Sequence, residues 1–158
     1  MPIGTKEVGM GLVRFYQVAG EGPGVVDAVL PTLLEKAVAA GEKVVVVCPT
    51  AQRVGRVDEH LWTYKADSFL PHGVAGSGAD DLVPVVIAGV EHVVDGRLPV
   101  ALAGAEGVVE QCLGCPKVLY VFDSSAASVE RSRGLWKALK GKAEVEYLAQ
   151  EGGKWVGK

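Results

Sequence analysis

The amino-acid sequence predicts an α/β fold in three layers, a mostly parallel central sheet flanked by helices. Three observations predict it. Segments rich in β-branched residues alternate with segments whose apolar residues recur at helical spacing. The run Lys43–Cys48 (KVVVVC) is apolar without a break after a charged entry, the pattern of a central strand covered on both faces. The chain has 158 residues, 49% of them hydrophobic and 22% charged. A chain of that size fits one domain and buries about two-thirds of the surface its unfolded form exposes, with no need of disulfides or metal.

The elements follow in order. Gly11–Ala19 (GLVRFYQVA) alternates and reads as a first strand, and Gly20–Gly24 (GEGPG) as a turn. From Val25 to Ala40 apolar residues recur at helical spacing, and Gly41 supplies a stop. Pro31 suits that helix if it begins near Asp27, because first-turn N–H groups have no intrahelical partner; otherwise it kinks the helix. Thr50 is the expected cap of a helix from Ala51 to about Tyr64, and Lys65–Gly78 reads as loop. Strands are expected at Pro84–Ala88, Val100–Leu102 and Lys117–Phe122 (KVLYVF). Ser124 or Ser125 caps a helix from Ala126 to Lys140, ended by Gly141. Glu144–Ala149 is expected as an edge strand before a tail containing Trp155. No internal repeat or interdomain linker interrupts the pattern.

Composition excludes disorder, collagen-like repeats and a disulfide scaffold. No apolar run approaches the roughly 20 residues of a membrane span, and MPIGTKEVGM lacks the charged head and apolar middle of a signal peptide. The expected location is the cytoplasm. Asn is absent, which removes any N-glycosylation acceptor. The formal net charge of −3 hides an asymmetry: residues 1–130 hold 9 Lys and Arg against 16 Asp and Glu, residues 131–158 hold 7 against 3. A basic end on an acidic body attracts an acidic partner locally, although a solvated helix and tail read the same way.

No catalytic or metal constellation stands out. Cys112 and Cys115 form a lone CxxC, but no second CxxC or paired His motif completes a zinc site. The pair sits late and precedes a strand, unlike a redox dithiol of thioredoxin type, so the sequence reads it as two incidental thiols. Three cysteines, with Cys48, cannot all pair within one chain, and reduced thiols fit a reducing compartment. His60, His72 and His92 have no metal-binding spacing. Gly73–Gly78 (GVAGSG) lacks the Lys of a P-loop and does not follow the first strand, and Asp80 and Asp81 behind it would repel phosphate. Ser124 and Ser125 lack a GxSxG elbow, and Asp27 and Asp123 lack an evident acid/base partner. The expectation is a non-enzyme with no cofactor and no metal.

The last helix is the informative one. Val129, Arg133, Trp136, Lys137 and Lys140 fall at offsets of 4, 7, 8 and 11 from the first, along one side. Cations around a large aromatic suit a peptide carrying carboxylates and an aromatic side chain, held by charge-assisted hydrogen bonds and a pocket. The same stripe fits a helix that turns Trp136 to the sheet and leaves its cations in solvent. A second cluster, Leu61, Trp62, Phe69, Leu70 and Pro71, reads either as partner anchors on a loop or as a lid over the core.

The run Gly41–Cys48 (GEKVVVVC), then Asp58-Glu59-His60-Leu61-Trp62, then Asp67–His72 (DSFLPH) with Ala75-Gly76 and later Pro84-Val85, resembles the chi subunit family of bacterial DNA polymerase III. The strand ending in Phe122 and the Arg133-x-x-Trp136-Lys137 helix continue the likeness in order, over about residues 11–155. The resemblance implies a Rossmann-like α/β domain over 11–158, with residues 1–10 as an N-terminal extension. It implies a non-catalytic accessory subunit of the clamp-loader assembly that binds the acidic, Phe-terminated C-terminal tail of single-stranded DNA-binding protein. Arg133, Trp136 and Lys137 would form the tail site, with Phe122 and Val129 nearby. A basic position of some family members falls at Val129, and Lys140 or Arg131 would compensate. Leu61, Trp62, Phe69 and Pro71 would face a psi subunit or another clamp-loader component. Association with DNA would then be indirect, and no membrane is involved. Two rival readings are a direct single-stranded nucleic-acid-binding protein and a nucleotide-dependent α/β enzyme.

Overall fold

The computed structural model describes residues 11–64, 70–77, 82–92 and 96–158. Among these, β1 (Leu12–Val18), α1 (Pro23–Ala39), β2 (Val44–Cys48), α2 (Ala51–Thr63), β3 (His72–Val74), β4 (Val85–Gly89), β5 (Leu98–Leu102), α3 (Glu106–Gln111), β6 (Lys117–Asp123), α4 (Ala126–Leu139), β7 (Glu144–Glu151) and β8 (Lys154–Gly157) follow one another. The strands form one sheet in the order β3-β4-β2-β5-β6-β1-β7-β8. Every pairing is parallel except β7 with β8. The α/β architecture with a mostly parallel sheet between helices is as expected.

Strand alternation divides the core in two. Val44 and Val46 join Tyr16, Val18, Leu30, Leu34 and Leu61 on the face covered by α1 and α2. Val45 and Val47 join Phe15, Tyr120, Phe122, Leu135 and Leu139 on the face covered by α3 and α4. β2 is therefore buried on both sides, which explains its unbroken apolar run. The caps are local: Thr50 Oγ1 accepts the Arg53 N–H at 3.1 Å, and Ser125 Oγ accepts the Ser128 N–H at 3.3 Å. Ser124 instead donates its hydroxyl to the Val18 carbonyl at 2.7 Å and ties β1 to β6.

Several expectations need correction. α1 begins at Pro23, not near Asp27, so Pro31 lies inside the helix, where it removes the hydrogen bond that the Asp27 carbonyl would accept. Pro23 holds the start, where a missing N–H is harmless. β3 lies within the segment expected as loop and pairs with β4 through His72–Val74. α3, six residues long, has no counterpart in the sequence reading. β7 is an interior strand between β1 and β8. The edge on that side of the sheet is β8, reached by a turn at Gly152 and Gly153, whose φ angles of 59° and 80° suit a two-residue hairpin. Trp155 on β8 packs edge-on against Tyr16 at 5.0 Å. No helix among the described residues is long and apolar enough to cross a membrane.

Candidate functional site

α4 buries Ser128, Ser132, Leu135 and Leu139. One step around its axis, Val129, Arg133, Trp136 and Lys137 face an open pocket of about 580 Å³. Gln17 of β1, Tyr147 of β7, Ser132 and Lys158 complete the lining. The pocket lies where α4 stops covering the sheet.

The aromatic wall is a packed cluster of rings. Tyr147 stacks on Phe15 with centroids 5.7 Å apart and an interplanar angle of 14°. Trp136 meets Phe15 edge-on at 5.7 Å and Tyr147 at 6.0 Å. Trp136 is 36% exposed, so one part of the indole is anchored and the rest opens to solvent. The Tyr147 hydroxyl donates to the Gln17 side-chain carbonyl, and Gln17 Nε2 donates to Ser124 Oγ at 3.1 Å. Burial pushes the Tyr147 phenol up, against the opposing pull of the Ser132 hydroxyl and the Arg133 charge.

The charges around this wall are one-sided. Among the described residues, neither Arg133 nor Lys137 makes an ion pair. Lys158 pairs with Glu151, and its backbone N–H donates to the Tyr147 carbonyl at 2.8 Å. An apolar pocket rimmed by cations, with Arg133 and Lys137 in no ion pair among the described residues, suits a ligand with one apolar group and several carboxylates.

Residues 10–145 match the family model described as DNA polymerase III chi subunit, HolC. The chain belongs to the DNA polymerase III chi subunit family. It is similar to DNA polymerase III subunit chi of Escherichia coli (strain K12), 41% identical over 49 residues, which is 31% of this chain and 33% of that protein. That pairwise match therefore spans about a third of the relative's length.

The tail-site residues that family likeness suggested separate into two groups. Val129, Arg133, Trp136 and Lys137 come together on the pocket. Phe122 does not line it: its ring is fully buried on β6, behind Tyr147 at 6.0 Å. The reason is lateral position, since β6 runs under α4 while β7 lies two strands further out. Lys140 caps the C-terminus of α4 and is not part of the lining. Arg131 is turned to the other side, with Nε 3.7 Å from Glu106 Oε2. Helical spacing and the family likeness do not point to Gln17, Ser132, Tyr147 or Lys158, which also line the pocket. The alternation of Val145 and Tyr147 was the available signal, because the β1–β7 register sets Phe15 opposite Tyr147 on one face.

At the second expected surface, Leu61 is a core residue of α2 and not a contact position. Trp62 is 57% exposed, with its ring 4.5 Å from that of buried His72. Pro71 is half-buried, and Phe69 lies outside the described residues.

A second cavity, of about 520 Å³, opens at the C-terminal ends of β1 and β6, where α/β sheets commonly take ligands. Glu21, Arg53, Asp123 and Arg131 are among its lining residues. Asp123 accepts the Gly22 N–H at 2.7 Å and the Ser128 hydroxyl. The N–H at the start of α1 is thus occupied by the chain's own carboxylate, and a phosphate would meet two carboxylates there. Among the described residues, no cluster of three His, Cys, Asp or Glu suits a metal ion.

Burial alone would raise the Asp123 carboxyl, but the bonds from Ser128, Gly22 and Ser125 outweigh it and hold the group below its ordinary value of 3.8. A depressed carboxyl contributes stability above its unfolded value and loses it as pH falls through the folded one. Asp123→Asn is therefore expected to lower the melting temperature at pH 7. It also flattens the fall in melting temperature between pH 4 and pH 2, checked by calorimetry across that range.

Proposed function

We propose that this chain is a non-catalytic accessory subunit of the DNA polymerase III clamp-loader assembly whose basic pocket binds the acidic, Phe-terminated C-terminal tail of single-stranded DNA-binding protein. The observation that carries the proposal is the pairing of Arg133 and Lys137, neither in an ion pair among the described residues, with a partly open indole over a pocket of about 580 Å³. The tail's last ring enters between Trp136, Val129 and Tyr147. Its terminal carboxylate and Asp side chains take charge-assisted hydrogen bonds from Arg133 and Lys137. Lys158 adds a third cation at the β8 end, tempered by Glu151. The contact area is small, so micromolar affinity is expected, with strong weakening by salt.

Calorimetric titration with a tail peptide tests the proposal: micromolar binding that salt weakens supports it, and no measurable heat in low salt overturns it. A labelled single-stranded oligonucleotide without the binding protein separates this reading from direct DNA binding. The acidic chain is expected to leave the oligonucleotide unbound, and saturable binding to it would favour the rival.

The exposed Trp62 forms the contact with psi or another clamp-loader component. Trp62→Ala is expected to leave tail-peptide affinity unchanged and to lower the melting temperature only by the ring contact it loses with His72. The same variant is expected to lose at least tenfold in capture of that component in a pull-down. Undiminished capture would remove Trp62 from the interface.

A further inference from the structure

We propose that Cys112 and Cys115 form a reversible dithiol–disulfide pair oxidised by hydrogen peroxide. α3 ends at Gln111, and the Cys112 N–H caps it by donating to the carbonyls of Val108 at 3.0 Å and Val109 at 3.1 Å. The chain then turns back at once, with the Cys115 N–H donating to the Cys112 carbonyl at 2.9 Å. A turn closed by that bond holds its first and fourth α-carbons within about 7 Å, and disulfides span about 4.4–6.8 Å between α-carbons. Both side chains pack against the same hydrophobic cluster, so both lie on one side of the turn.

Their exposures divide the work. Cys112 is buried, while Cys115 is half-buried and lines an open cavity of about 750 Å³ at the N-terminal ends of the strands. Peroxide reaches Cys115 first. The Cys115 thiol gives up its proton, its sulfur attacks one peroxide oxygen, the O–O bond breaks, and the departing hydroxide takes up that proton as one water, leaving a sulfenic acid. The Cys112 sulfur then attacks that sulfur, and the displaced hydroxyl leaves as a second water with the Cys112 proton. Two thiols lose two electrons and two protons, and peroxide becomes two waters. A small dithiol reverses the step.

The pair closes a helix C-terminus. Dithiols that pass their disulfide onward sit at helix N-termini, where the dipole holds the thiolate. This crosslink is therefore an end state and not a catalytic intermediate. It clamps the turn that seats β1: the Leu12 N–H donates to the Pro116 carbonyl at 3.0 Å, and a Cβ at Gly11 would lie 2.5 Å from the Cys115 carbonyl oxygen. That end of β1 is remote from Gln17 and the peptide pocket, so the inference stands independently of the proposed function.

The test treats the full chain with hydrogen peroxide and reads intact mass and peptide maps. The expected result is a loss of about 2 Da, a single peptide carrying the Cys112–Cys115 link, and full reversal by dithiothreitol. Cys48 is the internal control: burial pushes its thiol up to about 12, and it stays reduced. Cys112→Ser is expected to stop at a Cys115 sulfenic acid that dimedone traps. Failure of the wild-type chain to form the link, with Cys115 proceeding to sulfinic acid or staying a thiol, overturns the proposal. So does equal sulfenic acid trapping in the wild type and Cys112→Ser.

Discussion

Replacing Arg133 with Ala weakens binding of an acidic, Phe-terminated peptide at least tenfold and leaves the fold intact. Arg133 is exposed on α4 and makes no ion pair among the described residues, so its truncation removes no internal contact of that kind. Surface changes of this sort alter stability by about 0.5 kcal/mol or less. A hydrogen bond to a charged group contributes about 1.5–3 kcal/mol, or roughly ten- to a hundredfold in affinity. Arg133→Lys is expected to fall between, because Lys keeps the charge and loses the planar fork that holds both carboxylate oxygens. Calorimetric titration at two salt concentrations reads both effects. Unchanged affinity for Arg133→Ala, with an unchanged melting temperature, would remove this residue from the site.

Phe122→Ala is expected to cost about 3–5 kcal/mol of stability, a large part of the roughly 5–15 kcal/mol that holds a domain folded. The ring is fully buried. It stacks on Tyr120 at 5.0 Å and meets Phe15 and Tyr147 edge-on at 6.2 and 6.0 Å. Its removal undermines the layer on which Tyr147 and Trp136 rest. Phe122→Leu separates this role from ligand contact: it keeps most of the volume, costs about 1–2 kcal/mol, and is expected to leave peptide affinity within about twofold of wild type, since side chains other than Phe122 line the pocket. Urea denaturation and peptide titration of this variant together check the assignment. A large loss of affinity at unchanged stability would return Phe122 to the site.

These two residues also mark how far the sequence is legible. Arg133, Trp136 and Lys137 share a helix, and helical spacing alone puts them on one side. Thr50, Ser125 and the valine run of β2 are equally local signals, and each has the role its pattern implies. Phe122 and Tyr147 differ only in how far out their strands lie in the sheet. That distance is set by β6 and β7 both pairing in parallel with β1, a contact between segments more than a hundred residues apart along the chain. The family likeness therefore points to Phe122 on β6, whereas the ring that lines the pocket is Tyr147 on β7. β3 and α3 are too short to show a period, so tertiary pairing and packing define them. Pro31 violates helix propensity and is carried by the buried stripe of Val26, Leu30, Leu33 and Leu34 around it.

The central claim is that the pocket between α4, β1 and β7 seats the acidic end of another polypeptide. Amide and indole chemical-shift mapping of the full chain during titration with a Phe-terminated acidic peptide tests it most directly. The account predicts saturable shifts centred on Val129, Arg133, Trp136, Lys137, Tyr147 and Lys158, including the Trp136 indole N–H, with Trp62 and Trp155 unmoved. Shifts centred on Trp62, or none at millimolar peptide, would contradict it.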